Sequence, residues 1–300
     1  MTKFNKGLLF GVSAYLIWGA LPLYWKLVEE AGAYEILAHR GIWSLLLCVL
    51  LLALRKQIKS AFVMVRASRT LSLLFLASGL LTINWGVYIW SVTVNRVVEA
   101  ALGYYITPLI NVTFGVLLLR EKLRPLQWTS VGLASVGVAI LTVGYGALPW
   151  IALVLSISWG SYSLIKKSLN LGALETLSVE TLFAFFPNLI YLFIIESNGS
   201  AEFGDGWMMS ILLFGAGAAT VVPLLLFNGS TTRLPLSTVG LLQYITPTIM
   251  FFIGIFLNNE NISTTKIAGF AFIWIALAVL SRDLYRSGFM LGASKLRITR

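Results

Sequence analysis

Apolar residues occupy this chain in long blocks rather than in alternating or one-sided patterns. A helix crossing the hydrocarbon of a bilayer needs roughly 20 mostly apolar residues at ~1.5 Å rise each. Runs of that kind fall at about 7–28, 33–54, 71–93, 97–119, 126–144, 148–169, 175–196, 208–230, 235–257 and 265–285. The polar intervals between them are short, and the longest, 55–70 and 197–207, are too small for a soluble domain. The pattern predicts an all-α membrane protein of ten transmembrane helices, with function confined to the bundle and its short loops. The apolar stretch after Lys3 and Lys6 is longer than a signal-peptide core and contains Trp18, Pro22 and Lys26, so it is expected to be a retained first span.

Basic residues orient these spans, because they concentrate in cytoplasmic loops. With the N-terminus inside, 18 of the 22 basic residues fall on inner segments, among them Arg55 to Arg69, Arg120 to Arg124, Lys166 and Lys167. Only Lys26, Arg40, Arg96 and Lys266 remain on or near the outer side. Both termini are therefore expected in the cytoplasm. The net charge of +10 then needs no nucleic acid to explain it, and the basic tail 286–300 can rest on anionic lipid.

A tetrapeptide recurs at half the chain length. Tyr105-Ile106-Thr107-Pro108 returns as Tyr244-Ile245-Thr246-Pro247, and the same spacing of 139 places Glu121 on Glu260. Trp18-Gly19 matches Trp159-Gly160 and Lys26 matches Lys167 at 141, while Glu35 matches Glu175 at 140. This predicts two five-helix repeats, 1–145 and 146–300, the second ending in a short basic tail. Five is odd, so the second copy enters the membrane from the opposite side, as in inverted-repeat transporters. The loops agree: REKLR around Glu121 becomes NENIS around Glu260, and the basic loop 55–70 becomes the acidic 197–207.

Composition then excludes several chemistries. The chain is 58% hydrophobic and 11% charged with mean hydropathy +0.86, against about a quarter charged in globular domains. One cysteine, Cys48, allows no disulfide, and one histidine allows no multi-histidine metal site. No nucleophile motif, HExxH or nucleotide loop is present, so neither an enzyme nor an ATP-driven pump is expected, and no cofactor.

The ordered segments AYLIWGALPLYWK (14–26), EILAHRGIWS (35–44), NWGVYIW (84–90), EAALGYYITPLIN (99–111), TRLPLSTVGLLQYITPT (232–248) and FIWIAL (272–277) resemble RarD-type members of the EamA family, in the drug/metabolite transporter superfamily. The resemblance covers nearly the whole chain. It implies ten helices in two inverted repeats, a location in the bacterial inner membrane, and transport of small organic solutes, more often outward. Two stretches depart from the family pattern: SVTVNRVVEA (91–100) lacks its commoner histidine, and NNEN (258–261) lacks the usual Glu-Pro.

Candidate residues follow from the cost of polar groups in lipid. Proline removes a helical hydrogen bond and frees the carbonyl four residues earlier, Tyr104 for Pro108 and Gln243 for Pro247. An unpaired carbonyl survives only where protein or a wet cavity receives it. Pro108 and Pro247 are therefore hinge candidates beside a central cavity, or packing kinks whose carbonyls Thr107 and Thr246 satisfy. Intramembrane charges default to functional candidates. Arg40 and its repeat mate Glu180 either hold the two ends of a zwitterion, pair across the cavity, or snorkel to opposite headgroups. Glu35 and His39, one helical turn apart, are proton-coupling candidates or structural partners. Glu99 is expected at the N-terminus of the fourth span. Asn84, Tyr88, Ser91 and Asn95 form one polar stripe that lines either the cavity or a helix interface. Trp18, Trp159 and Tyr162 suit flat organic solutes or ordinary packing. With Tyr104, Gln243 and Tyr244 they complete the substrate-binding candidates. Gly132, Gly137 and Gly144 suggest close helix packing or a homodimer contact. Small organic solutes and membrane lipids are the expected partners.

Overall fold

The computed structural model describes residues 2–93, 97–145, 150–256 and 264–298. Among them every regular element is helical: α1 Lys3–Lys26, α2 Gly32–Leu54, α3 Ile58–Val65, α4 Ser68–Thr93, α5 Val97–Leu117, α6 Pro125–Tyr145, α7 Trp150–Leu169, α8 Ala173–Ser197, α9 Trp207–Thr231, α10 Leu236–Leu242, α11 Ile245–Phe256 and α12 Thr264–Ile298. Helix covers most of the described part of each apolar run. By length and composition six stretches can cross a membrane: Lys3–Lys26, Glu29–Leu54, Ser68–Tyr88, Pro125–Gly144, Ala173–Ser197 and Trp207–Thr231, with a shorter apolar stretch at Leu102–Leu117.

Three boundaries differ from expectation. The interval 55–70 carries a short helix of its own, α3, and α12 continues well past residue 285. The run 235–257 is two helices rather than one, parted at Gln243 and Tyr244. Elsewhere the ends follow local chemistry. The Thr2 hydroxyl accepts the Asn5 N–H at 3.1 Å and starts α1. Pro125 opens α6, where its missing N–H costs nothing. Gly199, at φ +67°, ends α8 in a left-handed turn closed by Ser200 N–H to the Ile195 carbonyl at 3.0 Å.

The packing has an internal exchange rule. α1 lies against α9 and α11, while α7 lies against α4 and α5. α2 packs on α9 and α4 packs on α8; α2 meets α8, and α6 meets α12. Exchanging α1 with α7, α2 with α8, α4 with α9, α5 with α10–α11 and α6 with α12 maps this set onto itself. Close approach repeats with it. A Cβ at Gly19 would stand 2.8 Å from Ile249 Cβ, and one at Gly160 would stand 2.5 Å from Ile110 Cγ2. Both glycines and both isoleucines are repeat mates, so each half needs a bare backbone where the other half's isoleucine presses in. Of the three α6 glycines, Gly137 meets the Gly269 carbonyl and Gly144 meets Thr265 on α12, whereas Gly132 faces open space.

Polarity is inverted relative to a water-soluble fold. Phe62, Phe75, Val143, Phe186, Phe193 and Phe214 are exposed, while Glu35, His39, Asn84, Lys166, Glu180 and Gln243 are buried. Hydrocarbon around the bundle explains both halves of that distribution.

Candidate functional site

The middle of the bundle is an aromatic cluster built from three helices. The Trp18 and Trp159 rings meet edge to face at 5.3 Å, and Phe227 of α9 lies 5.6 and 5.5 Å from them. Tyr15 and Tyr162 flank Phe227 at 6.4 and 6.2 Å. Trp18, Trp159 and Tyr162 thus converge as flat-walled candidates that touch one another, with Trp18 and Trp159 partly buried and Tyr162 fully buried. Tyr15 and Phe227 complete the cluster and were not singled out in the sequence, where a tyrosine and a phenylalanine in apolar runs carry no distinguishing signal. The Trp159 indole N–H is buried without a hydrogen-bond partner.

The two YITP segments adjoin but differ. α5 stays helical through Pro108, and the Thr107 hydroxyl donates to the Gly103 carbonyl at 2.7 Å. In the second copy the chain breaks between α10 and α11. The Gln243 carbonyl, expected to open on a cavity, instead accepts the Thr246 N–H at 3.1 Å. The Thr246 hydroxyl leaves its own helix and donates to the Tyr15 carbonyl at 2.9 Å. Asn111 Nδ2 donates to Gln243 Oε1 at 3.1 Å and ties α5 to the break. Asn111 Oδ1 and the Tyr244 hydroxyl remain buried without partners.

Beside the aromatic cluster, Arg40 stands over two indoles, its guanidinium carbon 4.8 Å from the Trp25 ring centre and 4.6 Å from that of Trp85. Its Nε donates to Thr220 Oγ1 at 2.9 Å. Tyr88 and Tyr104 stand beside it with ring centres 5.9 Å apart. Asn84, on the same stripe as Tyr88, is used at the α4–α7 interface, donating to the Leu155 carbonyl at 2.8 Å and to Ser158 Oγ at 2.9 Å. Asn95 and the Glu99 side chain lie outside the described residues.

Glu180 is buried against Lys166, with Oε1 2.7 Å from Nζ. Nζ also reaches Thr176 Oγ1 at 2.5 Å, and the Tyr162 hydroxyl donates to Glu180 Oε2 at 3.2 Å. Two expectations change here. Lys166 is not a loop cation on the inner surface; it is 3% exposed and neutralises a carboxylate. Arg40 and Glu180 do not pair, because each has its own partners. Repeat spacing explains the arrangement: Trp25 and Lys166 are mates at 141, so the indole over Arg40 occupies the place that the ammonium beside Glu180 holds in the other half.

Glu35 and His39 are adjacent as spaced, with Oε1 3.6 Å from Nε2. The Glu35 carboxylate accepts the Glu202 and Phe203 N–H groups at 3.0 Å and fastens that loop over the end of α2. His39 Nδ1 accepts the Trp43 indole N–H at 3.1 Å, which requires a ring unprotonated at Nδ1, and the ring stacks on Phe203 at 4.6 Å.

At the basic end, Glu121 reaches across the repeats to cap α10. Its carboxylate accepts Leu236 N–H at 2.6 Å, Ser237 N–H at 2.9 Å and the Ser237 hydroxyl at 2.7 Å. Lys167 donates to the Leu234 carbonyl beside it, and Arg124 clasps Asp283 of α12. Two cavities of about 710 and 410 Å³ open at this end, the smaller bordered by Glu121, Lys122, Gln127 and Lys167. Glu121→Ala removes a helix cap and is expected to lower stability by ~1–2 kcal/mol. Chemical denaturation of the reconstituted chain measures this, and no change would mean that Glu121 does not hold α10.

The EamA-like transporter family matches twice, at residues 5–143 and 148–282. A protein named Protein RarD from Streptomyces exfoliatus is 45% identical over 285 residues, covering 94% of this chain and 90% of its own. Protein RarD of Escherichia coli (strain K12) is 38% identical over 280 residues, covering 93% and 95%. An uncharacterized transporter of Vibrio cholerae is 40% identical over 285 residues, covering 95% and 94%. A crystal structure of 18% identity superposes with a TM-score of 0.72, covering 94% of this chain and 99% of that one, and shares the fold. With both halves matched and relatives similar over nearly their full length, the chain belongs to the EamA-like transporter family, as a RarD-type integral multi-pass protein of the bacterial cell membrane.

Proposed function

We propose that this chain is a secondary transporter that exports small organic metabolites or drugs by alternating access around the centre of the bundle. In this reading ten spans form two oppositely inserted five-helix repeats with both termini in the cytoplasm. The observation that carries it is the exchange rule in the packing, under which α1–α6 and α7–α12 trade places. Inverted repeats of that kind rock about a shared midplane site. The broken ninth span at Gln243 and Tyr244 supports it further, because irregular backbone at membrane depth is tolerated where protein or a cavity receives it. In this reading the aromatic cluster is the gate, and substrate passes when Trp18 and Trp159, in ring contact at 5.3 Å, part. An amino-acid exporter is the second reading, in which Arg40 takes the carboxylate and Glu180 exchanges Lys166 for the ammonium.

Reconstitution tests this directly. Proteoliposomes loaded with unlabelled solute are expected to show saturable counterflow of labelled solute, and linear, unsaturable flux would remove the carrier. Single-cysteine labelling is expected to reach position 121 from the cytoplasm and position 260 from outside. Access to both from one side would remove the inversion.

A further inference from the structure

Resting on that carrier reading, we propose that the solute is an organic anion whose oxyanion head binds the in-plane edge of the Arg40 guanidinium. The repeat itself motivates this. The second helix of each five-helix unit carries a charge at one matched position where the sign differs, Arg40 and Glu180, whereas Glu35 and Glu175 match in kind. Glu180 is neutralised by Lys166, the partner supplied by the first helix of its own unit. The matched position opposite Arg40 is Trp25, which stacks on the cation but cannot cancel its charge. No carboxylate among the described residues lies within ion-pair distance of Arg40. The Glu180 site is therefore paired, and the Arg40 guanidinium has no carboxylate partner among the described residues, which is costly among apolar helices without an anion.

Geometry narrows the ligand. The guanidinium stands over the rings of Trp25 and Trp85, which offer it no hydrogen-bond acceptor, and Nε is committed to Thr220. What remains is the pair of Nη groups, for which no acceptor is found among the described residues. A flat fork of N–H donors matches a planar carboxylate through two parallel hydrogen bonds. Tyr88 and Tyr104 add hydroxyl donors and a ring face beside it. A cation is repelled here, and a neutral solute leaves the charge uncancelled. A zwitterion has to displace Lys166 from Glu180 to seat its ammonium. A lipid phosphate offers the same oxyanion chemistry, and the test separates the two sources.

The full chain in nanodiscs of uncharged lipid is titrated calorimetrically with benzoate, benzamide and benzylamine. Benzoate is expected to bind at least about tenfold more tightly than benzamide, with no detectable benzylamine binding. Arg40→Lys keeps the charge but loses the fork and is expected to weaken benzoate about tenfold; Arg40→Gln is expected to abolish the preference for the anion. Circular dichroism and monodispersity establish that each variant is folded. Equal affinity for benzoate and benzamide, or an unchanged preference in folded Arg40→Gln, overturns the proposal. Benzoate affinity that falls as phosphatidylglycerol is added, in wild type but not in Arg40→Lys, transfers the site to a lipid headgroup and also overturns it. Equal destabilisation by Arg40→Gln and Glu99→Gln, with no further loss in the double variant, gives the counter-charge to the chain and does the same. Benzoate binding without labelled-benzoate counterflow removes the carrier but leaves the anion site. Saturable counterflow of neutral solutes, indifferent to Arg40→Gln, removes the anion site but leaves the carrier.

Discussion

Lys166→Met is expected to destabilise the protein by ~3–5 kcal/mol, the largest effect of any single substitution at the candidate site. The ammonium makes its bonds to Glu180 Oε1 and Thr176 Oγ1 with both charged side chains at most 3% exposed. Removing it leaves a carboxylate among apolar helices with only the Tyr162 hydroxyl as donor. The cost arises from that stranded charge rather than from the net worth of the pair, because desolvation offsets much of the attraction between buried ions. A second substitution separates the two. Lys166→Met with Glu180→Gln leaves no charge and keeps an acceptor for Tyr162, so it is expected to recover at least half of the lost stability. Equilibrium unfolding of the reconstituted chain measures both variants. A double variant as unstable as the single one would show that packing around Lys166, not charge, is what fails.

Pro247→Ala is expected to slow transport about tenfold, equivalent to ~1.4 kcal/mol on the rate-limiting step, while leaving solute affinity nearly unchanged. At the break between α10 and α11 Pro247 offers no N–H to the Gln243 carbonyl, which bonds Thr246 instead, and contacts to the first repeat hold the opened backbone. Alanine at 247 restores that donor and favours a continuous helix. Straightening withdraws Thr246 from the Tyr15 carbonyl and Gln243 from Asn111, two links between the break and helices of the first repeat. Pro108→Ala is the control. α5 already runs helically through it and Thr107 already bonds backward to Gly103, so little remains to straighten. Its transport rate is expected to stay within about threefold of wild type, a difference under ~1 kcal/mol. Initial counterflow rates at matched protein content compare the two. Equal slowing by both would assign the prolines a common packing role and remove the hinge from the second copy.

That asymmetry was beyond the reach of the sequence, where the two tetrapeptides are identical. What differs is the neighbourhood. Gly240 brings α10 against the Pro108 carbonyl, and the second copy has Tyr15 within reach of its threonine. A hydroxyl chooses between bonding its own helix and a neighbouring one according to which acceptor stands at about 2.8 Å. Local pattern carries no information on that choice.

Lys166 shows the same limit from another direction. Counting basic residues by segment treats a helix's last turn as loop. α8 begins at Ala173, shortly after α7 ends at Leu169, and across that short connection Lys166 reaches Glu180 and is buried with it. Asn84 likewise belongs to a polar stripe with two readings, and only the position of Leu155 and Ser158 on α7 decides for the interface.

By itself the sequence determined that the chain is helical and membrane-embedded, that it is duplicated, and which family it resembles. These properties are read along one dimension: apolar runs set by bilayer thickness, charges set by which side of the bilayer a loop faces, and words repeated at a constant spacing. Tertiary structure alone decided that Arg40 stands over Trp25 and Trp85, that Lys166 neutralises Glu180, that Tyr15 and Phe227 join the aromatic cluster, and that only one of the two YITP segments breaks its helix. Each of these is a meeting between separate helices. Periodicity reports which face a residue occupies on its own helix, while the partner it finds depends on crossing geometry and on which buried polar group stands unsatisfied across the gap.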